Sequence, residues 1–273
     1  ALWALGNIAC DANGRDAVAQ SGNMPLLNLL SPSSPPDLAR AGTWVLAKIC
    51  RAWAGEGRLA IRDEHARVAV GALNRLIAVS QDEKLLRYAC WVLDDLTVGG
   101  SEETTQAVFT EAGLCGLLVQ FVGHPSADVH SAALEAVHSL LIWTDEVTQV
   151  VLDLNLLPRL LLLLGSHERS IRLQTCHALT HITNGTHKQV GAVIEAGIIP
   201  SLVNLMGDTG TELDHDVRDE AAWAVSAAVI GGTREQVSYL VNQALSPLCG
   251  VLLGTSHAPT ARKVLQALET VLE

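Results

Sequence analysis

The sequence predicts an all-α protein, a right-handed superhelical solenoid of about seven repeated units with three helices each. Three observations carry that prediction. The composition is that of a helix former: 49% of the 273 residues are hydrophobic, with Leu, Ala and Val dominant and aromatics only 4%. One template recurs along the chain, a turn residue, Pro or Gly three positions on, and then a Leu-rich helix. Each copy is followed by a polar turn and a second, Ala-rich helix, so neighbouring copies bury their apolar faces against one another.

The template reads SGNMPLLNLL (21–30), AGLCGLLVQFV (112–122), LNLLPRLLLLL (154–164), AGIIPSLVNLM (196–206) and QALSPLCGVLL (243–253). Its turn residues are Gly22, Gly113, Asn155, Gly197 and Ala244. Glycine ends the preceding helix there, and proline suits the first turn of the next. The Ala-rich helices that follow include EKLLRYACWVLDDL, SIRLQTCHALTHI and VRDEAAWAVSAAVI. Aligning them on a tryptophan column places positions 3, 44, 91, 135, 177, 223 and 266 in register. The spacings are 41, 47, 44, 42, 46 and 43. A period in the forties is that of armadillo or HEAT repeats, and a short helix, a Pro-started helix and a long third helix favour armadillo. The units expected are 1–10 (partial), 11–54, 55–100, 101–143, 144–185, 186–232 and 233–273. The first helix has no cap before it and the last none after it, so the chain is expected to be a fragment of a longer protein.

The formal net charge of −11, from 29 acidic against 18 basic residues, disfavours nucleic acid and anionic membrane and favours a basic partner. The longest apolar run, Leu160 to Leu164, is far too short to span a bilayer. The cysteines at 10, 50, 90, 115, 176 and 249 form no CxxC pair and read as small core residues of a reducing compartment. No nucleophile elbow, phosphate-binding loop or Gly-rich strand–helix turn is present. Catalysis and cofactor binding are not expected. His177 and His181 have the H-x-x-x-H spacing that holds zinc when a third ligand is supplied, but no third ligand is evident. They read instead as polar residues lining a groove, of the type whose charge changes near neutral pH. Asp214-His215-Asp216 reads as a solvated turn, and Trp53 and Trp143 fall off the column.

The first column helix, WALGNIACD, stacks Trp3, Asn7 and Asp11 four residues apart on one face. A packed core has a use for the indole and none for the amide and carboxylate. Taken alone, a tryptophan in a repeat helix is more often a packing residue than a site, but the shared register of Trp3, Trp44, Trp91 and Trp223 with Asn7 and Asp11 favours groove exposure. Together with WALGNIACDANGRDAVAQSGNMPLLNLL, ACWVLDDLTVGGSEETTQAVFTEAG, LTHITNGTHKQVGAVIEAGIIPSLVNLM and AAWAVSAAVIGGTREQVSYLVNQALSPLC, this set resembles the armadillo domain of importin-α (karyopherin-α). The resemblance runs over essentially the whole chain. It implies a concave groove that binds Lys/Arg-rich nuclear localisation signals in extended form. Indoles would hold the aliphatic stems of the peptide's basic residues, each Asn one turn on would bond the peptide backbone, and carboxylates would pair with the cationic heads. A protein of the cytoplasm and nucleus is implied, as is importin-β as a second partner, bound through an N-terminal basic segment that these residues do not include.

Mapped residue by residue, the groove is partly degenerate. Trp3, Asn7 and Asp11 keep the full set. Trp44 is followed by Lys48, Trp91 by Asp95 and Trp223 by Ala227, where the family places Asn or Tyr. Glu135 and Ser139 replace Arg and Asn in one unit, and His177 and His181 replace Trp and Asn in the next. Glu220 keeps the acidic residue one turn before Trp223, whereas Tyr88 stands at that position before Trp91. The expected peptide-binding residues are thus Trp3, Asn7, Asp11, Trp44, Lys48, Trp91, Asp95, Glu135, Glu220 and Trp223. Lys48 is expected to repel a basic peptide or to pair with Asp95, and tighter binding is expected at the Trp3–Trp44–Trp91 end than around His177. The alternative is an armadillo scaffold that keeps the fold, has given up nuclear signals, and joins proteins in a cytoskeletal, axonemal or other large assembly.

Overall fold

The computed structural model describes residues 1–10, 14, 17, 18, 25–54, 63–207 and 215–272, with the backbone alone for 51–54. Every regular element among them is an α-helix. Seven are assigned up to residue 141: α1 (Leu2–Ile8), α2 (Pro36–Ala54), α3 (Asp63–Ile77), α4 (Glu83–Gly99), α5 (Glu102–Thr110), α6 (Leu114–Val122) and α7 (Ala127–Leu141). Eight follow: α8 (Asp145–Asp153), α9 (Leu157–Leu164), α10 (Arg169–Thr183), α11 (His187–Glu195), α12 (Ile199–Gly207), α13 (His215–Gly231), α14 (Arg234–Gly254) and α15 (Ala258–Leu272). The chain divides into two compact units, Ala1–Leu140 and Leu141–Glu273.

Within each unit the column helices pack on one another. In the first, α1 lies on α2 and α2 on α4; in the second, α10 lies on α13 and α13 on α15. The turn chemistry explains why the chain folds back between helices. Gly113, Asn155 and Gly197 have φ of 79°, 67° and 71°, the left-handed conformation that most residues avoid. The linker sequences T-x-x-Q have a double role. Thr186 and Gln189 form a capping box at the start of α11, and Thr233 and Gln236 form another at α14. The Gln189 amide also donates to the Asp145 carbonyl at 2.7 Å, and the Gln236 amide to the His187 carbonyl at 2.8 Å. Each glutamine therefore caps its own helix and fastens it to the first helix of the preceding repeat.

The expected turn at Ala244 does not occur. Residues 234–254 form one helix, with Pro247 inside it. A left-handed alanine costs about 1–2 kcal/mol and an interior proline about 3 kcal/mol, so local terms alone slightly favour a break. Leu240, Ala244, Leu248 and Val251 are buried on one face of the unbroken helix. Burying a single leucine contributes about 1.5–3 kcal/mol, enough to reverse the balance. The continuous helix is also, by length and composition, long and apolar enough to cross a bilayer, contrary to the expectation from apolar runs. It packs against α12, α13 and α15 through that buried face. Two further expectations change. Cys10 and Cys249 are exposed, while the other four cysteines are buried. His215 and Asp216 belong to the first turn of α13 rather than to a turn before it; Asp214 lies outside the described residues.

Candidate functional site

The column residues fall in three settings. Trp3 on α1 is 75% exposed, with Asn7 exposed one turn on. Asp11, the third member of that set, lies outside the described residues. Trp44 is half-buried and packs against a cluster of Ala9, Val18, Leu26, Val45 and Ile49. Its indole lies directly on the α1 backbone at Gly6: a Cβ at that position would stand 2.1 Å from the ring. The glycine in WALGN is therefore the seat of the next unit's tryptophan. Lys48, one turn beyond Trp44, is exposed.

Trp91 is half-buried, with a cation stacked on its ring. Arg87, one turn earlier on α4, lies over the indole at 5.0 Å and over the Tyr88 ring at 5.2 Å. An ion pair with Asp128 at the start of α7 fixes the guanidinium there. Asp95 is only 5% exposed and faces inward, where its charge adds to burial in raising the Cys50 thiol. The expectation that it lends negative potential to an open groove meets a carboxylate that is almost fully buried. Glu135 is half-buried; burial, then Asp94 and Glu135, push the Cys90 thiol up to about 12. Ser139 donates to Asp94, joining α7 to α4.

Trp223 borders a cleft, with Lys263 over its ring at 5.9 Å. This cleft, of about 610 Å³, lies between the second half of α10, the first half of α13 and the 254–257 turn leading into α15. Trp223 is half-buried in its wall, and the indole N–H donates to Thr260 Oγ1 at 3.1 Å, which fixes the ring plane. Glu220 stands one turn earlier. Its Oε1 accepts from Thr180 Oγ1 at 2.7 Å, and its Oε2 lies 3.5 Å from His177 Nε2. Two other carboxylates of the cleft are neutralised by arginines, Asp216 by Arg169 and Asp219 by Arg218. Glu220, whose side chain is 20% exposed, has only a histidine as ion-pair partner among the described residues. Burial lowers the pKa of His181, Glu220 raises it in part and His177 lowers it further, so His181 is neutral at pH 7. The described residues contain no group of three or more His, Cys, Asp or Glu side chains arranged to hold a metal ion.

Trp223, Glu220, His177 and His181 are thus brought into one cleft. Sequence reasoning missed Arg87, Thr180, Asn184, Thr260 and Lys263, of which Arg87 was legible as a cation four residues before a column tryptophan. Trp143 is half-buried, and the side chain of Trp53 lies outside the described set.

Comparison with known proteins agrees with this architecture. An armadillo/beta-catenin-like repeat family model matches residues 186–226. The chain is 40% identical over its whole length to importin subunit alpha-1b of Oryza sativa subsp. japonica, of which it covers 49%. It is 35% identical, again over its whole length, to importin subunit alpha-8 of Arabidopsis thaliana, of which it covers 59%. The chain thus spans about half the length of the curated relatives it matches. Among solved structures, a designed armadillo repeat protein in complex with the peptide (KR)4 superposes with a TM-score of 0.77 at 23% identity, covering 92% of this chain and all of that one. The fold is that of armadillo repeats, and along its whole length the chain is similar to importin subunit alpha proteins.

Proposed function

We propose that this chain is the adaptor portion of an importin-α-like protein and binds Lys/Arg-rich signal peptides for nuclear import, with the Trp223–Glu220 cleft as its principal cation site in place of the expected Trp3–Trp44–Trp91 end, where Arg87 lies over Trp91. The arrangement of that cleft carries the proposal. An indole held edge-on by Thr260 offers its face to a lysine stem, an attraction of about 0.5–2 kcal/mol. Glu220, positioned by Thr180 and short of a permanent cation, is the counter-ion for the ammonium. The net charge of −11 steers a basic peptide toward the surface. The activity is binding rather than catalysis, in the cytoplasm and nucleus, with importin-β as the further partner of a full-length protein. Seven repeat units in the expected bounds are part of the same proposal.

The scaffold reading rests on a separate observation, the closure of Trp91 by Arg87 and the inward turn of Asp95, which remove one cation slot from the groove. Fluorescence anisotropy with a labelled (KR)4 peptide separates the two. The adaptor reading expects saturable, salt-sensitive binding that weakens about five- to tenfold in Glu220→Gln, the loss of one charge-assisted hydrogen bond. Absence of binding at low salt contradicts it and leaves the scaffold reading.

A further inference from the structure

We infer that Lys263 is a resident occupant of the Trp223 slot, a side chain of this chain that an incoming peptide cation must displace. The inference rests on reading the cleft as a cation site and adds how access to it is controlled. Lys263 lies on α15, with its ammonium 5.9 Å from the centre of the Trp223 ring, within the ~6 Å range of cation–indole attraction. The same nitrogen donates to Asn184 Oδ1 at 3.3 Å. Asn184 caps the C-terminus of α10 and lines the cleft, so the lysine reaches across from one column helix toward another with the indole between them. Lys263 is half-buried, and that burial lowers the pKa of its ammonium.

The register explains how a cation comes to stand there. Lys263 is three residues before column position 266, as Glu220 is three residues before Trp223. The acidic position of one unit is a lysine in the next, and the reversed charge faces the preceding indole. Unit Ala1–Leu140 contains the stronger form of the same device, Arg87 over Trp91, where a carboxylate locks the cation in place. Lys263 has an amide oxygen in place of that carboxylate, and no ion pair involves it among the described residues. A neutral acceptor holds an ammonium less firmly than a carboxylate does. Arg87 therefore closes its slot, and Lys263 gates its own.

Two measurements test this. In NMR spectra of the wild-type chain, the Lys263 ε-methylene protons should be shifted upfield by the indole ring current, and the shift should vanish in Trp223→Leu. In (KR)4 titrations, Lys263→Met removes the charge but leaves an aliphatic stem over the ring, whereas Lys263→Ala removes both. Lys263→Met should tighten binding about twofold and Lys263→Ala about five- to tenfold, the gap measuring the uncovered indole face. An unshifted Lys263 signal overturns the resident contact. Binding by the wild-type chain with the same affinity in both variants as in the wild type overturns displacement while leaving the cleft reading intact. Binding by none of the three proteins removes the cleft reading, and the displacement with it.

Discussion

Trp91 and Trp223 occupy the same register position on column helices of the two units, and each half-buried ring has a cation over it, but the two cations are held differently. Trp91 lies under an arginine that an aspartate holds in place, and the carboxylate one turn on faces the interior. Trp223 stands in the wall of a cleft of about 610 Å³, with its N–H satisfied, the Glu220 carboxylate in the same cleft and Lys263 over its ring. Register says which residues share a column. Whether a column tryptophan is a slot is decided by how firmly a neighbouring unit holds the cation over it.

The largest effect expected from testing this contrast falls on how an indole is seated. Gly6→Ala puts a methyl group into the volume of the Trp44 ring. It should destabilise the first unit by about 1–3 kcal/mol through overpacking, measured as a lower urea midpoint. An unchanged midpoint would mean that the indole has a second seat.

Next in size is the lock on Trp91. Arg87→Ala removes the stack on two rings and the pair with Asp128, and should cost about 1–2 kcal/mol because the guanidinium is mostly buried. It should also open a second cation slot, seen as Trp91 fluorescence becoming sensitive to (KR)4. If Trp91 stays silent in the variant, arginine is not what closes that site.

The smallest expected effect is a separation of the two units by pH. Burial acts to raise Asp82, but its hydrogen bond from Arg40, the backbone N–H groups of Leu85 and Lys84, and the Arg40 charge outweigh it and hold the carboxyl below the usual range. A depressed carboxylate stabilises fully above its unfolded pKa, about 3.9, and that stabilisation is lost as pH falls through the lower folded value. His181 titrates at higher pH. Its folded pKa lies below the ordinary value of about 6.5, so the unfolded chain takes up the proton first and the second unit loses stability as pH falls below that value. Urea midpoints between pH 7.5 and 5 should therefore fall for the second unit, and much less so in His181→Gln; the Asp82 contribution should fade only below about pH 4. Equal pH dependence in wild type and His181→Gln would contradict the assignment.

Much of the fold was legible because it depends on local chemistry. Gly113, Asn155 and Gly197 are residues that tolerate a left-handed turn, and all three adopt one. The capping boxes at Thr186 and Thr233 were missed, although T-x-x-Q is their signature. Ala244 was misread because its local costs nearly cancel, and a buried stripe from Leu240 to Val251, visible only with its partners in place, settles the helix. The candidate site was legible where it lies within one helix, as with Glu220 and Trp223. It was illegible where two or three units contribute: Thr180 on Glu220, Thr260 and Lys263 on Trp223, Asp128 on Arg87. Those pairs are about forty residues apart, and their meeting depends on the exact offset between stacked helices. Asp95 shows the same limit, a charged residue in the column that is almost fully buried.

The most direct test of the central claim, that the Trp223–Glu220 cleft is where this chain takes a peptide cation, is a titration of the ¹⁵N-labelled chain with (KR)4 while the six indole N–H resonances are followed. The account predicts that the Trp223 signal moves first and furthest, that the Trp91 signal stays in place under its arginine, and that Glu220→Gln abolishes most of the Trp223 response. Movement at Trp3, Trp44 or Trp91 with a stationary Trp223 would contradict it.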